Sequence, residues 1–269
     1  MIRNSKTSWC VLIALALFAM CTDAVAEDSL LSDVNGDGIV GITALGDSLT
    51  YGVGDGLQPG ADVPVIEESG APRGYPKRLT ALLNLSVRNA GVPGEELVAQ
   101  GVWRIPEIVT SSRVDTMLLM EGTNDAVKQV SRGDFARAVQ RAINVTRAAG
   151  KQIVVATLPQ PTQSHQSLTT FTESYSAAVR ELASINDVRL ADVETLWRST
   201  CPALEACELY NLPEGLHPNK KGYDALTQIF AAALLDIDLL SPAGPAELEA
   251  ALGLESGGVI VKPPTSGAN

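Results

Sequence analysis

Five short apolar runs are separated along the chain by longer stretches in which apolar and polar residues alternate at helical spacing. The runs predict β-strands at residues 42–45, 87–92, 114–120, 153–158 and 188–191. The third and fourth runs are rich in long and branched apolar side chains. This composition is typical of strands that are buried on both faces of a parallel sheet.

Three of the intervening stretches repeat their apolar residues every three or four positions, as an amphipathic helix does. The repeats are Phe135, Val139, Ala142 and Ile143; Tyr175, Val179 and Leu182; and Tyr223, Leu226 and Phe230. Strands that alternate with helices predict a doubly wound α/β domain, in which helices cover both faces of the sheet. In such a domain the ligand site forms beyond the carboxyl ends of the strands.

Residues 1–26 have the pattern of an export signal. Two basic residues precede an apolar run at 11–20, which is too short to cross a bilayer comfortably. Ala24 and Ala26 then place small residues before a cleavage site. A lipoprotein signal cleaved before Cys21 is the alternative, which the large side chain of the preceding methionine disfavours. We expect cleavage after Ala26 and an exported product, periplasmic or extracellular.

The length of the remaining chain suits one domain with one core. We assign residues 27–240 to this domain and residues 241–269 to a C-terminal tail that is rich in proline and glycine. In the tail, residues 247–254 predict a short helix, and the last residues are expected to be disordered. No further apolar stretch is long enough for a transmembrane span, and we expect a monomer.

The charge of the chain argues against two classes of partner. The sequence contains 31 acidic and 20 basic residues, which give a net charge of −11 at pH 7. This excess of negative charge disfavours contact with nucleic-acid phosphates and with anionic membrane surfaces. We therefore expect no nucleic-acid partner.

The cysteines agree with export. Cys10 and Cys21 belong to the predicted signal, so Cys201 and Cys207 are the two that remain. An even pair in an exported chain indicates a disulfide, with two free thiols as the alternative.

Polar residues and glycines follow the first three predicted strands. After the first strand, Gly46 and Asp47 precede Ser48, which either caps the next helix or acts as a nucleophile. After the second strand, Gly94 either forms a turn or offers its backbone N–H to a ligand. After the third strand, Asn124 either caps a helix or donates its amide to an oxyanion.

The two histidines of the chain differ in their neighbours. Pro218 disfavours a helical conformation for His217 and suits the first turn of a helix that follows. Glu214, three residues before His217, can reach Nδ1 of the ring and orient it. His165 lies in a polar loop without an acidic partner of this kind, so His217 is the candidate general base.

In chain order, Ser48, Gly94, Asn124 and His217 resemble the sequence blocks of the GDSL/SGNH hydrolase superfamily, over residues 40–235. The resemblance implies a flavodoxin-like, three-layer α/β/α sandwich around a five-stranded parallel sheet, and an enzyme that needs no cofactor. It also implies a serine ester hydrolase in which Ser48 attacks the acyl carbon and His217 is the base. The oxyanion would be held by the N–H groups of Ser48 and Gly94 and by the amide of Asn124.

Glu214 is the one departure from the family pattern, which usually has aspartate three residues before the histidine. Glutamate is one methylene longer, so its carboxylate has to fold back to reach the ring. Some hydrolases use glutamate in this role, and we expect Glu214 to complete a triad. A solvated loop carboxylate is the alternative.

The resemblance leaves the ester substrate open. Acetylated carbohydrates and acyl lipids are both expected substrates, and a lysophospholipase or thioesterase activity is an alternative. A further alternative is a catalytically weak relative that binds carbohydrate in the same cleft. Loops at residues 52–73 and 160–170 are expected to set the acyl and alcohol specificity.

Two other enzyme classes fit the sequence poorly. The glycines at positions 52, 54 and 56 do not have the spacing of a dinucleotide-binding loop, and a phosphate-loop lysine is absent. The segment around Ser48 also lacks the Gly-x-Ser-x-Gly elbow of other α/β hydrolases.

A second candidate site precedes the first strand. Asp33, Asn35 and Asp37, followed by Gly38, match the first half of a calcium-binding loop. Ala44 stands where such a loop needs its bidentate carboxylate. A weak structural calcium site and a polar turn with side-chain-to-backbone hydrogen bonds are the two interpretations.

Overall fold

Five parallel strands form a sheet in the order β2-β1-β3-β4-β5. The computed structural model describes residues 30–55, 74–111 and 113–261. The strands are β1 Gly41–Gly46, β2 Ser86–Gly91, β3 Thr116–Met120, β4 Gln152–Ala156 and β5 Arg189–Ala191. All neighbouring strands are parallel, and each overlaps one of the apolar runs, so the predicted parallel sheet is confirmed.

Helices connect the strands in alternation with them. They are α1 Ser48–Tyr51, α2 Gly74–Leu83, α3 Val102–Thr110, α4 Thr123–Val127, α5 Arg132–Ala148, α6 Thr169–Asn186, α7 Val193–Thr200, α8 Lys220–Leu234 and α9 Gly244–Leu252. A π-helical turn, Leu97–Gly101, leads into α3, and Gln163–Leu168 and Leu204–Ala206 are 3₁₀ turns. The three stretches with helical apolar spacing correspond to α5, α6 and α8.

Two groups of helices cover the two faces of the sheet. α2 and α8 contact each other, and Tyr75 stacks on Phe230 between them with ring centroids 4.4 Å apart. α3, α5 and α6 form the second group, in which Phe135 stacks on Tyr175 at 4.2 Å. Stacked aromatic pairs add stability beyond the apolar area that they bury. The predicted three-layer α/β/α sandwich is confirmed.

The first three strands end level with one another. β1 lies between β2 and β3 and is buried along its whole length, as β3 is. The register pairs Gly46 of β1 with Gly91 of β2 and with Met120 of β3. The segments that follow these strands therefore start side by side at one edge of the sheet.

The described part of the C-terminal tail packs on the domain. Leu248 of α9 and Val261 are buried in the core. The side chain of Gln228, on α8, donates to the Gly258 carbonyl at 3.1 Å and accepts from the Ile260 N–H at 2.9 Å. The predicted signal peptide and residues 262–269 lie outside the described ranges.

Cys201 and Cys207 form a disulfide with an S–S distance of 1.99 Å, which confirms the predicted bridge. The bridge closes the loop that contains the second 3₁₀ turn, directly after α7. Among the helices described above, none is long and apolar enough to cross a bilayer.

Candidate active site

Ser48, Gly94 and Asn124 follow three strands that end at the same edge of the sheet. Ser48 is the first residue of α1 after β1, Gly94 follows β2, and Asn124 lies in the first turn of α4 after β3. At this edge the strand order reverses around β1, which is the position where open α/β sheets form ligand crevices. His217 reaches the same place from the loop before α8.

The turn that presents Ser48 requires a glycine before it. A Cβ on Gly46 would lie 2.5 Å from the carbonyl oxygen of Met120, closer than any side chain tolerates. Asp47 is fully buried, and its Oδ1 accepts from the Leu49 N–H at 2.8 Å, which caps α1. These contacts fix a half-buried Ser48 at the start of the helix.

His217 connects Ser48 to Glu214 through two hydrogen bonds. Its Nε2 lies 2.9 Å from Ser48 Oγ, and its Nδ1 lies 2.8 Å from Glu214 Oε1. Because an ionised carboxylate only accepts hydrogen bonds, Nδ1 carries the proton of the neutral ring. The lone pair of Nε2 then faces the Ser48 hydroxyl and can accept its proton.

Glu214 reaches the ring because the chain turns sharply after it. Gly215 adopts a left-handed φ of +75°, and a Cβ there would lie 2.4 Å from the Thr162 carbonyl oxygen. The second carboxylate oxygen of Glu214 accepts from the backbone N–H groups of Leu216 at 2.9 Å and His217 at 2.8 Å. The side chain is thus folded back, as its extra methylene requires.

The surroundings of Glu214 keep it ionised. Burial by itself raises the pKa of this carboxyl, but the hydrogen bond and charge of His217, with the two backbone N–H groups, lower the pKa below its usual value overall. An ionised Glu214 can therefore stabilise positive charge on the ring of His217.

His165 lies next to the same carboxylate, so the expectation that it lacks an acidic partner was wrong. Its Nδ1 lies 2.8 Å from the backbone carbonyl oxygen of Glu214 and 3.7 Å from Glu214 Oε1. A carbonyl oxygen only accepts, so Nδ1 of His165 donates. The two residues are 49 positions apart in the chain, and no local pattern indicates their contact.

The three candidate oxyanion donors differ in what they already bind. The N–H groups of Ser48 and Gly94 form no hydrogen bond with another described residue. The amide of Asn124 donates to the Glu95 carbonyl at 2.9 Å and lies 3.4 Å from Asp47 Oδ2. One strong hydrogen bond orients the Asn124 amide and leaves its second N–H weakly engaged.

Sequence reasoning missed four carboxyl groups that are buried behind Ser48 and Asn124. Asp47, Glu95, Glu121 and Asp125 are each at most 4% exposed. Asp47 and Glu121 have a signal in the sequence, because each stands directly after a buried strand, β1 and β3 respectively.

Within the described residues, three of these carboxyls accept hydrogen bonds from N–H groups, and one does not. Asp47 caps α1, Asp125 accepts from two N–H groups of the π-helical turn at 2.8 and 3.0 Å, and Glu95 pairs with Arg104 at 2.8 Å. Neither oxygen of Glu121 accepts a hydrogen bond from the described residues, and its carboxyl lies beside that of Glu95, to which it can donate when it is protonated.

Burial changes the protonation of this group. It raises the pKa of Asp47 to about 6, against the lowering effect of the Leu49 N–H and of His217. Burial, together with the charges of Asp47 and Glu95, raises the pKa of Glu121 well above its usual value. The fold therefore favours the neutral form of Glu121.

The calcium-like loop is a polar turn. Asp33 accepts from the N–H groups of Gly36 and Gly38, each at 2.7 Å, and the hydrogen bond from Gly38 is the largest cause of its lowered pKa. The side-chain oxygen of Asn35 accepts from the Asp37 N–H at 2.8 Å, and the carboxylate of Asp37 accepts from the Ile39 N–H at 2.9 Å. No described group of three or more His, Cys, Asp or Glu side chains could hold a metal ion, so calcium has no support here.

A comparison with protein families finds one that spans this site. The model of the GDSL-like lipase/acylhydrolase family matches residues 44–225, which include Ser48, Gly94, Asn124 and His217. No curated protein sequence matches the chain significantly.

Solved structures share the fold at low sequence identity. Axe2, an acetylxylan esterase from Geobacillus stearothermophilus, is 21% identical with a TM-score of 0.59, and the match covers 75% of this chain and 96% of that one. LAE5, an alpha/beta hydrolase enzyme from the metagenome of Lake Arreo in Spain, is 21% identical with a TM-score of 0.58, covering 72% and 94%. A member of the lipolytic protein G-D-S-L family from Veillonella parvula is 21% identical with a TM-score of 0.54, covering 70% and 94%.

The family match spans more than half of the chain and contains all the segments that meet at the edge of the sheet. The chain therefore belongs to the GDSL-like lipase/acylhydrolase family and is a carboxylic ester hydrolase.

Proposed function

We propose that this protein is an exported serine hydrolase that removes acetyl groups from carbohydrate esters, with Ser48 as its nucleophile. The observation that carries the proposal is the unbroken series of hydrogen bonds from the Ser48 hydroxyl through His217 to Glu214. Such a series supplies what nucleophilic catalysis needs, which is a hydroxyl, a base within reach, and a group that orients the base.

In the first half of the reaction, His217 Nε2 takes the proton of Ser48 as its Oγ attacks the ester carbonyl carbon. Negative charge develops on the carbonyl oxygen, and the N–H groups of Ser48 and Gly94 with the amide of Asn124 are the donors proposed to meet it. The protonated ring then gives its proton to the leaving alcohol, and an acyl-enzyme remains.

In the second half, a water molecule takes the place of the alcohol. His217 accepts a proton from the water as the water oxygen attacks the acyl-enzyme carbonyl, and the ring returns that proton to Ser48 Oγ. Glu214 stays ionised throughout and balances the charge of the imidazolium. The products are a free acid and a regenerated Ser48 hydroxyl, and these steps require no metal or cofactor.

Two observations support export. Residues 1–26 have the order of regions that a secretory signal has. Cys201 and Cys207 are bridged, and stable disulfides are characteristic of proteins outside the reducing cytosol.

The choice of acetylated carbohydrate is supported by the similarity of the fold to Axe2, which is an acetylxylan esterase. At 21% identity this support is an analogy, and it has to be tested against longer acyl groups.

The test is hydrolysis of p-nitrophenyl acetate, butyrate and octanoate by the purified protein and by the Ser48→Ala variant. We expect the rate to fall with acyl length, and the variant to lose activity on every ester. A fluorophosphonate probe, followed by peptide mass spectrometry, should label Ser48 in the unchanged protein.

Full activity of Ser48→Ala would overturn the assignment of the nucleophile. A rate that rises towards octanoate would instead indicate a lysophospholipase or thioesterase. Absence of both hydrolysis and labelling would favour a carbohydrate-binding relative without catalysis.

A further inference from the structure

Two imidazoles contact Glu214, and the mechanism above uses one of them. His217 binds the carboxylate of Glu214 through Nδ1 at 2.8 Å. His165, on the Gln163–Leu168 turn, binds the backbone instead, because its Nδ1 lies 2.8 Å from the Glu214 carbonyl oxygen. The same Nδ1 lies 3.7 Å from Glu214 Oε1, which is too far for a hydrogen bond. His165 therefore holds the main chain of Glu214 and leaves the carboxylate to His217.

The carbonyl oxygen of Glu214 accepts from two side chains. Ser164 Oγ donates to it at 2.7 Å, in addition to His165 Nδ1 at 2.8 Å. A carbonyl oxygen has two lone pairs, so these two donors use its full capacity. Two donors restrict the direction in which this carbonyl points more tightly than one donor would.

The peptide group between Glu214 and Gly215 is also held at its N–H. The Gly215 N–H donates to the Asn211 carbonyl at 2.8 Å, and the Gly215 carbonyl accepts from the Thr162 N–H at 2.8 Å. Gly215 has the left-handed φ of +75° that lets the Glu214 side chain fold back towards the histidine. These hydrogen bonds therefore fix the turn that directs the carboxylate.

Residues 162–165 supply three of these four hydrogen bonds, and they are held by contacts of their own. The His165 N–H donates to the Thr162 carbonyl at 3.0 Å, and Gln163 Nε2 donates to the Glu205 carbonyl at 2.7 Å. A support whose own conformation is fixed can hold a catalytic group in place without rearranging during the reaction.

The position of the Glu214 carboxylate matters for the reaction, because it orients the ring of His217 and balances its charge. A displacement of about 1 Å in such a group can cost about 10²-fold in rate. We propose that His165 is a positioning residue, which holds the Glu214 carbonyl through Nδ1 and so keeps the carboxylate aligned with His217 during ester hydrolysis. The inference rests on the proposed function and adds a residue outside the triad on which its geometry depends.

Two substitutions of His165 test this role. Its side chain is 33% exposed, so a change there leaves no buried cavity. His165→Phe keeps a planar ring and removes the donor, whereas His165→Asn places an amide N–H close to the position of Nδ1. We expect kcat on p-nitrophenyl acetate to fall about three- to ten-fold in His165→Phe, as loss of one neutral hydrogen bond implies. In His165→Asn it should stay within about two-fold of the unchanged protein, and KM should stay the same in both variants.

A smaller change and a control come from the same turn. Ser164→Ala removes the second donor to the Glu214 carbonyl and should lower kcat by a similar factor. Gln163→Met is the matched control, because its amide donates to the Glu205 carbonyl and not to Glu214. This control should melt at a lower temperature with kcat unchanged. Thermal melts followed by circular dichroism give the folded fraction to which each kcat refers.

A double-mutant cycle separates positioning of the carboxylate from a general loosening of the loop. In the Glu214→Ala background no carboxylate remains to be aligned, so adding His165→Phe should change kcat by less than about two-fold. If His165 instead supported the whole histidine loop, the three- to ten-fold loss would appear in both backgrounds.

Three results would overturn the inference: equal losses in His165→Phe and His165→Asn, unchanged kcat in both His165→Phe and Ser164→Ala, or a loss that persists in the Glu214→Ala background. A failure of the proposed function gives different results. Unchanged kcat in Glu214→Ala would mean that the triad is wrongly assigned, and activity of Ser48→Ala would mean that the nucleophile is.

Discussion

The side-chain amide of Asn211 lies 3.3 Å from the carbonyl oxygen of Gly54 and 3.1 Å from that of His217. Asn211 is completely buried, and the same amide also donates to the Pro218 carbonyl at 3.0 Å. One side chain thus ties the segment after α1, which begins with Ser48, to the loop that holds the histidine. We therefore expect this connection to help set the distance between the Ser48 hydroxyl and the His217 imidazole.

The first prediction concerns the space at Gly54. Its φ is +84°, and an added Cβ would lie 2.3 Å from Asn211 Nδ2 and 3.2 Å from His217 Cβ. Gly54→Ala should therefore push the histidine loop away from Ser48 and lower kcat at least ten-fold. Gly150→Ala is the matched control, since Gly150 has a φ of +70° but nothing within 4 Å of the added Cβ. The control should lose only the free energy of unfolding that the backbone strain costs, about 1–2 kcal/mol in a thermal melt, and its kcat should be unchanged.

The second prediction separates positioning from stability by comparing two buried asparagines. Asn211→Ala removes the link to Gly54 and should lower kcat more than ten-fold in protein that remains folded, with little change in KM. Asn219 also donates to two backbone carbonyls, at 2.8 and 2.9 Å, and caps α8. Asn219→Ala should lower the melting temperature through loss of a cap worth about 1 kcal/mol, and leave kcat of the folded fraction intact. Equal kcat losses in both variants would contradict a specific role for Asn211.

The third prediction tests whether the glutamate works as the family's aspartate does. Glu214→Gln keeps the shape but replaces an ionised acceptor by an amide, which cannot balance the charge of a protonated ring. We expect kcat on p-nitrophenyl acetate to fall by about 10²- to 10⁴-fold, with the larger value if the ring also adopts the wrong tautomer. Glu173→Gln, on α6, is the control, since its carboxylate pairs with Arg198 instead. A loss of kcat below three-fold would show that Glu214 does not contribute to catalysis.

Much of the fold follows from local pattern alone. β3 and β4 are recognisable because a buried parallel strand needs apolar residues on both faces. α5 is recognisable because its apolar residues recur at helical spacing and form one buried stripe. The π-helical turn at Leu97–Gly101 is not predictable in this way. Its first N–H groups are held by the carboxylate of Asp125, 27 and 28 residues further along the chain.

The candidate site also combines residues that a local motif identifies with contacts that depend on the folded chain. The serine and the histidine are recognisable because each stands in a short motif with its own local geometry. The contact of His165 with the Glu214 carbonyl depends on how two loops pack, and so does the burial of Glu121 between Asp47 and Glu95. The position of Glu121 directly after a buried strand is visible in the sequence, but the contacts among these groups arise from the tertiary structure, and neither composition nor spacing indicates them.

Glu121 gives the protein a stability that depends on pH. The carboxyl is 2% exposed and faces three further buried acids, Asp47, Glu95 and Asp125, with the guanidinium of Arg104 paired to Glu95. Its pKa is raised in the folded protein, so the folded chain holds a proton that the unfolded chain releases above its ordinary pKa. Stability therefore falls as the pH rises from the unfolded pKa towards the folded one.

The last prediction follows from this fall of stability with rising pH. Glu121→Gln is neutral at every pH, so the variant should melt like the unchanged protein near pH 4 and at an increasingly higher temperature than it towards pH 8. Asp47, with a pKa of about 6, adds a similar loss of stability between pH 4 and pH 6 in both proteins, about 3 kcal/mol at full ionisation, and this cancels in the difference. Glu181→Gln, a surface carboxyl paired with Arg132, should give a difference that does not grow with pH. A melting-temperature difference for Glu121→Gln that is flat from pH 4 to pH 8 would mean that Glu121 is ionised in the fold, and that burial is compensated by a partner.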